Sequence, residues 1–296
     1  MSRTDVMALR HASGRPTALE LLRQAVAEIS SRRRLIRYLV QAEMKKRGSD
    51  TILGNIWWIL DPVLQMLVYL VLVTILGRGR FPDYPLFIFA AILPWKWFSA
   101  AITDASTTVV RQERLIKQIA FPKIVLPVAT TSAGVVGFVA GMVPLVALLL
   151  LHPHRFNPLL LVIWIPLIAI VQYVFTLACA ILVSAANVFF RDLGNALGHG
   201  LRLWWFLSPG LYSLVWMEDL SIVQQYPIIR TLAGLNPIAV LFEAYRAVIY
   251  GAPDGSSGPL APDPIPLLIL LLGSIVLVAL AMVFFKRLEP NFAKVL

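Results

Sequence analysis

The chain is predicted to be an all-α integral membrane protein. It has six transmembrane helices, both termini on the cytoplasmic side, an amphipathic interface helix before the first span and a re-entrant helical pair between spans five and six. Three observations lead there. Of its 296 residues 58% are hydrophobic and only 14% charged, against about 45–50% and about 25% in soluble domains. A water-soluble core cannot hide that much apolar surface, which excludes a large soluble enzyme. The apolar residues gather in six runs close to the roughly 20 residues a helix needs to cross about 30 Å of hydrocarbon. Lys and Arg gather in alternate loops, the pattern of a membrane protein with a positive cytoplasmic face.

Taken in order, the first sixteen residues, MSRTDVMALRHASGRP, are polar and hold no apolar core of a cleavable signal peptide. Thr17 and Glu20 have the spacing of a capping box that opens a helix, and Leu19, Leu22, Val26 and Ile29 then recur at helical spacing. A second helix follows. Leu35, Ile36, Leu39, Val40 and Met44 form its apolar stripe, with Arg33, Arg34, Arg37, Gln41 and Lys45 opposite. A basic amphipathic helix before a span lies in the headgroup plane, where each basic residue gains about 1 kcal/mol from anionic lipid. Arg33, Arg34, Arg37, Lys45, Lys46 and Arg47 are the candidates to meet an anionic substrate headgroup such as a lipid pyrophosphate. Membrane anchoring is the plainer role for most of them.

Span one covers Ile56 to Leu76, interrupted by Asp61 and Gln65. Span two runs from about Pro85 to Val110 and contains Lys96 and Asp104. Span three is Ile124 to Leu151 and span four Leu159 to Phe190. Span five is Leu203 to Met217, extended back towards Leu193, and span six is Ile265 to Phe285. Between spans two and three, ERLIKQIAFPKIVLP forms a small charged helix in which Leu115, Ile116 and Ile119 share one face and Arg114, Lys117 and Gln118 the other. It reads either as a membrane-surface helix or as a docking helix for a cytoplasmic partner. Residues 218–264 form a long external stretch. Its helical run from Asn236-Pro237 to Tyr250 suits a re-entrant pair, within which Glu243 and Arg246 are spaced to pair. Three regions result: a cytoplasmic N-terminal region over 1–55, a six-span domain over 56–286 and a cytoplasmic tail over 287–296.

The net charge of +10 is topological in this layout. The first 55 residues hold eleven Lys and Arg, residues 111–123 four, residues 191–202 two and the stretch after span six three, which puts twenty of the 26 on one side. Nucleic-acid binding is therefore not expected. The single cysteine, Cys179, lies in an apolar run and rules out an intramolecular disulfide. The chain has no GxxxxGK[ST], GxSxG, HExxH or CxxC. Its four histidines have no acidic or cysteine cluster beside them, so no metal site is expected. A multispan chain without chemistry of its own reads as a conduit.

Polar residues inside spans are costly and mark function; Asp61 and Lys96 are the two that stand out, with Arg191 and Asp192 at the end of span four. Trp57, Trp58, Trp95, Trp97, Phe98, Trp204, Trp205, Phe206 and Tyr212 cluster near span ends and breaks. An interfacial belt explains Trp57 and Trp58. It explains Trp95 and Trp97 less well, since they lie about ten residues inside span two. Aromatic faces along a wide pathway would let a sugar chain slide on weak stacking contacts.

The segments MKKRGSDTILGNIWWILDP, YPLFIFAAILPWKWF, ERLIKQIAFPKIVLP, NVFFRDLGN, LSPGLYS and NPIAVLFEAYR, in that order, resemble the permease subunits of bacterial polysaccharide ABC exporters, which move O-antigen, capsule or teichoic acid chains. The resemblance runs along almost the whole chain after about residue 30. It implies a homodimer in the cytoplasmic (inner) membrane, joined by two copies of a separate ATPase that carries the ATP and Mg. The permease itself would need no cofactor. It also implies that Glu113, Arg114, Leu115, Ile116, Lys117, Ile119 and Phe121 meet that ATPase. The substrate would be a polymer on an isoprenoid-type lipid, with Arg191 added to the headgroup or interface set. Gly48 and Ser49 depart from the aromatic and basic residues usual before the family's Leu-Gly pair. Two other transporter readings stay open: a drug or lipid exporter on the same fold, and a secondary transporter without an ATPase. The latter predicts internal inverted repeats, and none is evident between 56–151 and 159–285. A membrane glycosyl- or acyltransferase would want clustered acids or a histidine at a span end.

Overall fold

In the computed structural model, residues 16–48, 52–75, 83–119, 121–218, 220–252 and 256–296 are described, and every described element is helical. The capping box forms as the sequence predicts. Glu20 N–H donates to Thr17 Oγ1 at 3.3 Å and Thr17 N–H to Glu20 Oε2 at 2.8 Å, opening α1 (Ala18–Ser31). The buried stripe of α1 is nonetheless not Leu19–Leu22–Val26–Ile29. Leu21 and Ala25 are buried while Leu19 and Val26 are exposed. The small side chain of Ala25 lets α1 approach the last helix of the chain closely, and that contact selects the face. In α2 (Arg33–Gly48) the expected faces hold: Leu35, Ile36, Leu39, Val40 and Met44 are half-buried, and Arg33, Arg34, Arg37, Gln41 and Lys45 exposed. The helix packs on the later helix Val125–Leu151. The side chain of Arg47 lies outside the described residues.

Among the described residues, five helices are long and apolar enough to cross a membrane. α3 (Trp57–Ile75) is continuous with a one-turn 3-10 helix, Gly54–Ile56. α4 (Tyr84–Arg111) is the most enclosed of the five, packed by α3 and by the helices Val125–Leu151, Pro158–Phe189 and Pro237–Ile249. α6 (Val125–Leu151) and α7 (Pro158–Phe189) follow the predicted spans three and four. α13 (Pro264–Val295) packs along α7 and runs ten residues past the predicted end of span six. The expected tail is thus the final turns of a helix of roughly 48 Å at 1.5 Å per residue. Phe292, fully buried, anchors those turns despite Pro290. Asn or Asp followed by Pro starts three helices: the side chains of Asn157, Asn236 and Asp263 accept the N–H of Leu160, Ile238 and Ile265. The cap removes an orphan donor, and Pro at the first position has none to lose.

Span five departs most from the prediction. α8 (Leu193–Leu207) is a 15-residue helix that ends at Ser208, well before Met217. Ser208 is extended (ψ 148°), as the residue before Pro209 must be to avoid the proline ring. The chain then turns through 208–213 into three short helices, α9 (Leu214–Met217), α10 (Ser221–Gln225) and α11 (Ile228–Leu235). α11 meets α12 (Pro237–Ile249) at 76°, the bent pair expected of a re-entrant segment. With that pair counted as one span, the number of spans reaches six.

The two ends of the bundle are held by different chemistry. At one end Arg155 donates from Nε to Asp83 Oδ2 at 3.0 Å and from Nη1 to the carbonyls of Tyr250 (2.9 Å) and Ser257 (2.7 Å). This clasps the starts of α4 and α7 to the loop before α13. Burial pushes the Asp83 carboxyl up, but the bonds from Arg155 and His154 outweigh it and hold it below the usual carboxylate range. Gly251 closes the same clasp with φ +100°, and a Cβ there would lie 2.3 Å from the Gly258 carbonyl oxygen. Gly251→Ala is expected to cost about 1–3 kcal/mol or more, read as a lowered melting temperature of the detergent-purified protein. Gly234→Ala, where nothing lies within 4 Å, should not lower it. At the opposite end an apolar cluster of Ala25, Ile116, Ile124, Val188, Phe285 and Phe292 joins α1, the short helix α5 (Glu113–Gln118), α7 and α13. The described ends of the chain therefore share one end of the bundle.

Candidate functional site

A cavity of about 480 Å³ opens between α3, α4, α6 and α8. Each helix supplies one face at helical spacing. α3 gives Trp58, Asp61, Gln65 and Tyr69; α4 gives Leu93, Lys96, Trp97, Ala100 and Asp104; α6 gives Gly134, Gly137 and Phe138. α8 gives Gly198, Leu201, Arg202, Trp205 and Phe206. Asp61 and Lys96, 35 positions apart, form an ion pair across the cavity wall. Their side chains are 56% and 30% exposed. The pair is therefore solvated enough to be worth far less than a buried one.

Aromatic rings close the cavity on one side. Trp205 stacks on Tyr69 at 5.7 Å between centroids and meets Trp95 at 5.5 Å and Phe242 of α12 at 5.6 Å. The bent pair thus supplies one ring of the layer that ends the cavity. Gly210 lies against the Trp205 ring, so closely that a Cβ would sit 2.7 Å from it. The break after α8 is fixed from α12. Asn236 accepts from Trp204 Nε1 at 3.0 Å and donates to Ser208 Oγ at 2.8 Å. Arg246, 2% exposed, donates to the carbonyls of Gly210 (2.6 Å) and Tyr212 (3.0 Å), with Phe87 at 3.4 Å and Glu243 at 3.3 Å. Its guanidinium lies 3.8 Å from the Phe87 ring centroid.

The cavity gathers Trp58, Asp61, Trp95, Lys96, Trp97, Trp205 and Phe206 from the residues singled out in the sequence. Trp95 and Trp97 are nevertheless almost wholly buried, Trp97 against Phe138 at 4.8 Å. Trp57 is exposed at the start of α3. Phe98 stacks on Phe175 at 5.6 Å, Trp204 is bound to Asn236, and Tyr212 sits in the turn held by Arg246. Arg202 was missed. Counted by sequence as a loop charge, it lies within α8 and lines the cavity. The spacing of Gly198, Leu201, Arg202, Trp205 and Phe206 is the signal that shows it.

The small charged helix α5 is shorter than its apolar pattern suggests. Ile116 is buried and Leu115 half-buried, but Ile119 follows the helix in an extended conformation (φ −129°, ψ 131°) and is exposed. It does not share the face of Ile116. Pro122 keeps the helix from continuing, since its ring would clash with the Gln118 carbonyl four residues back and it has no N–H to give that carbonyl. Arg114 and Lys117 are exposed, and Phe121 is half-buried. Lys117 bonds Glu113 at 2.7 Å and holds its carboxyl below the usual range, aided by the charges of Arg191 and Arg114. Arg191 thereby belongs to the surroundings of α5. Arg33, Arg34, Arg37, Lys45 and Lys46 lie on or beside the exposed face of α2.

No protein-family model matches the chain. It is 33% identical over 269 residues to the O-antigen export system permease protein RfbA of Myxococcus xanthus, covering 91% of this chain and 98% of the relative. Two proteins of the same description from Klebsiella pneumoniae are each 27% identical over 88% of this chain and 95% of their own length.

Proposed function

The chain belongs to the permease subunits of polysaccharide ABC exporters, multi-pass proteins of the inner membrane, and from that we propose that it forms the membrane pathway of an ATP-driven exporter of a lipid-linked, O-antigen-type polysaccharide. The observation that carries the reading is the cavity itself. It combines the accessible rings of Trp58 and Phe206 with a charge-neutral polar pair, Asp61–Lys96, and that suits a sugar chain in transit better than a purely apolar cargo. Stacking is tolerant of sugar identity, and the polar pair offers hydrogen bonds to hydroxyls without a net charge to trap them. The rings of Tyr69, Trp95, Trp205 and Phe242 would have to part for passage, which makes the bent pair the moving element on that side. Two copies of the chain assemble around two copies of a separate ATPase, which binds ATP with its magnesium.

The end of the bundle carrying α1, α5 and the last turns of α13 faces the cytoplasm in this reading. Lys and Arg are concentrated there even with Arg202 removed from the count. α5 offers Arg114, Lys117 and Ile119 outward to the ATPase while Ile116 holds it to the bundle. The basic face of α2 meets lipid headgroups, including that of the carrier.

Affinity purification of the tagged chain from its native membrane tests this directly. A stoichiometric ATPase subunit is expected in the wild type, and its loss in the Arg114→Glu, Ile119→Glu double variant with the permease still inserted. An ATPase that never co-purifies with well-folded protein would move the assignment to a transporter without one. An ATPase retained in the double variant would place the docking surface elsewhere.

A further inference from the structure

Where α1 crosses the last turns of α13, Lys286 and Glu289 are buried and meet Glu28, whose side chain is partly exposed. Lys286 Nζ donates to Glu28 Oε1 and Oε2 at 2.9 and 2.8 Å and to Glu289 Oε2 at 2.5 Å. Glu289 accepts with its other oxygen from the backbone N–H of Lys123 at 2.7 Å. Lys286 and Glu289 are each 7% exposed. Lys123 belongs to the short connection that leads from α5 into α6. One carboxylate therefore joins that connection to the last span, and one ammonium joins the last span to α1.

This arrangement is an uneconomical way to hold helices together. Buried ion pairs are often no better for stability than apolar residues of the same volume, and the neighbouring positions Ile116, Phe285 and Phe292 show that an apolar solution lies at hand. Charge-assisted hydrogen bonds differ from apolar contacts in being directional, with strict limits on distance and angle. They fix how three segments move relative to one another. α5 itself has little else to hold it: Ile116 is the one buried residue of the helix. The triad and Lys123 themselves line a cavity of about 960 Å³, with Gln24, Phe121, Pro122 and Arg287, which leaves room for the joined segments to shift.

We propose that Glu289 and Lys286 are positioning residues that couple the α5 segment to the last span and to α1, so that a displacement imposed on α5 also displaces α13. The proposal rests on the reading of α5 as the ATPase-docking helix. Without the triad, displacement of α5 would reach α13 only through the non-directional apolar contacts of the Ile116 cluster. With it, α13, which packs along α7, is drawn in as well.

The test uses the complete exporter, permease with its ATPase, and three readouts: ATPase retained on the tagged permease, ATP hydrolysis by the purified complex, and polymer at the cell surface. Glu289→Gln keeps the volume but leaves one acceptor oxygen for two donors, so either the Lys123 N–H or the Lys286 ammonium loses its bond and faces the amide NH2 instead. It is expected to retain the ATPase and its hydrolysis while surface polymer falls about tenfold, the population change one charge-assisted hydrogen bond sustains. Lys286→Arg, which can still bridge both acids, should export normally. Wild-type export by Glu289→Gln overturns the proposal and reduces the triad to packing. Loss of the ATPase from Glu289→Gln also overturns it, because Glu289 would then belong to the docking face itself. Should Glu289→Gln reduce the amount of permease in the membrane, the decisive comparison becomes Lys286→Met against Lys286→Arg, which differ in whether Glu28 and Glu289 are bridged. Export lost in Lys286→Met and kept in Lys286→Arg supports the coupling, and equal export by the two overturns it. Failure of the docking reading appears separately, as ATPase retained by the Arg114→Glu, Ile119→Glu variant.

Discussion

Arg246→Met lowers the melting temperature of the purified protein more than any other single change considered, through a loss of about 3–5 kcal/mol, the cost of removing one partner from a buried charged network. The wild-type guanidinium serves the carbonyls of Gly210, Tyr212 and Phe87 and the carboxylate of Glu243 from one buried position. Met fills much the same volume but donates nothing, and in a membrane bundle no water replaces the missing donors. Arg246→Lys should recover only part of the loss. A single ammonium on a flexible stem cannot reach the Gly210 and Tyr212 carbonyls of the turn and the Phe87 carbonyl of α4 together as the planar fork does. Glu243→Gln is expected to cost less than about 1 kcal/mol, because its side chain is 27% exposed and the carbonyl bonds remain. Thermal unfolding followed by tryptophan fluorescence suits the measurement, since Trp204 and Trp205 flank the turn. An Arg246→Met protein as stable as the wild type would show that the turn after α8 holds without its buried donor.

The same turn marks the boundary of what the sequence discloses. The apolar runs located both ends of α3, α4, α6 and α7 and the start of α13 to within a residue, because composition and capping are local; only the far end of α13 runs ten residues on. Ser208-Pro209-Gly210 interrupts span five by equally local chemistry, yet the apolar stretch on either side hides it: hydropathy reports what a segment tolerates, not whether its backbone is continuous. The faces of α2 were legible from spacing, but those of α1 and α5 were not. In α1 the approach of α13 to Ala25 outweighs the larger side chains of Leu19 and Val26. In α5 a proline ends the helix before Ile119 can join Ile116. Pairings across helices were out of reach for a further reason. Periodicity places Asp61 and Lys96 on a face of their own helices, but it does not say how those helices are rotated against one another. Arg202 was lost in the same way, through its assignment to a loop that is in fact the first turns of α8.

Lys96→Met is expected to lower surface polymer about tenfold while leaving the amount and melting temperature of the protein nearly unchanged. Truncating one partner of a fully buried charge pair costs about 2–5 kcal/mol. The 30% and 56% exposure of Lys96 and Asp61 discounts this to about 1–2 kcal/mol, a factor of about ten. That charge is felt by whatever occupies the cavity rather than by the fold, because the pair sits on the cavity wall with solvent access. Asp61→Asn leaves the opposite charge behind and should impair export to a similar degree. The double variant Asp61→Asn, Lys96→Met removes both charges and restores neutrality. Export is expected to recover most of the way, so that the two single losses are far from additive. Two results would separate the alternatives. Singles that export normally would take the pair out of the pathway and leave it as a strut between α3 and α4. A double variant as poor as Lys96→Met would mean that Lys96 touches the polymer itself, and that Asp61 serves to aim it.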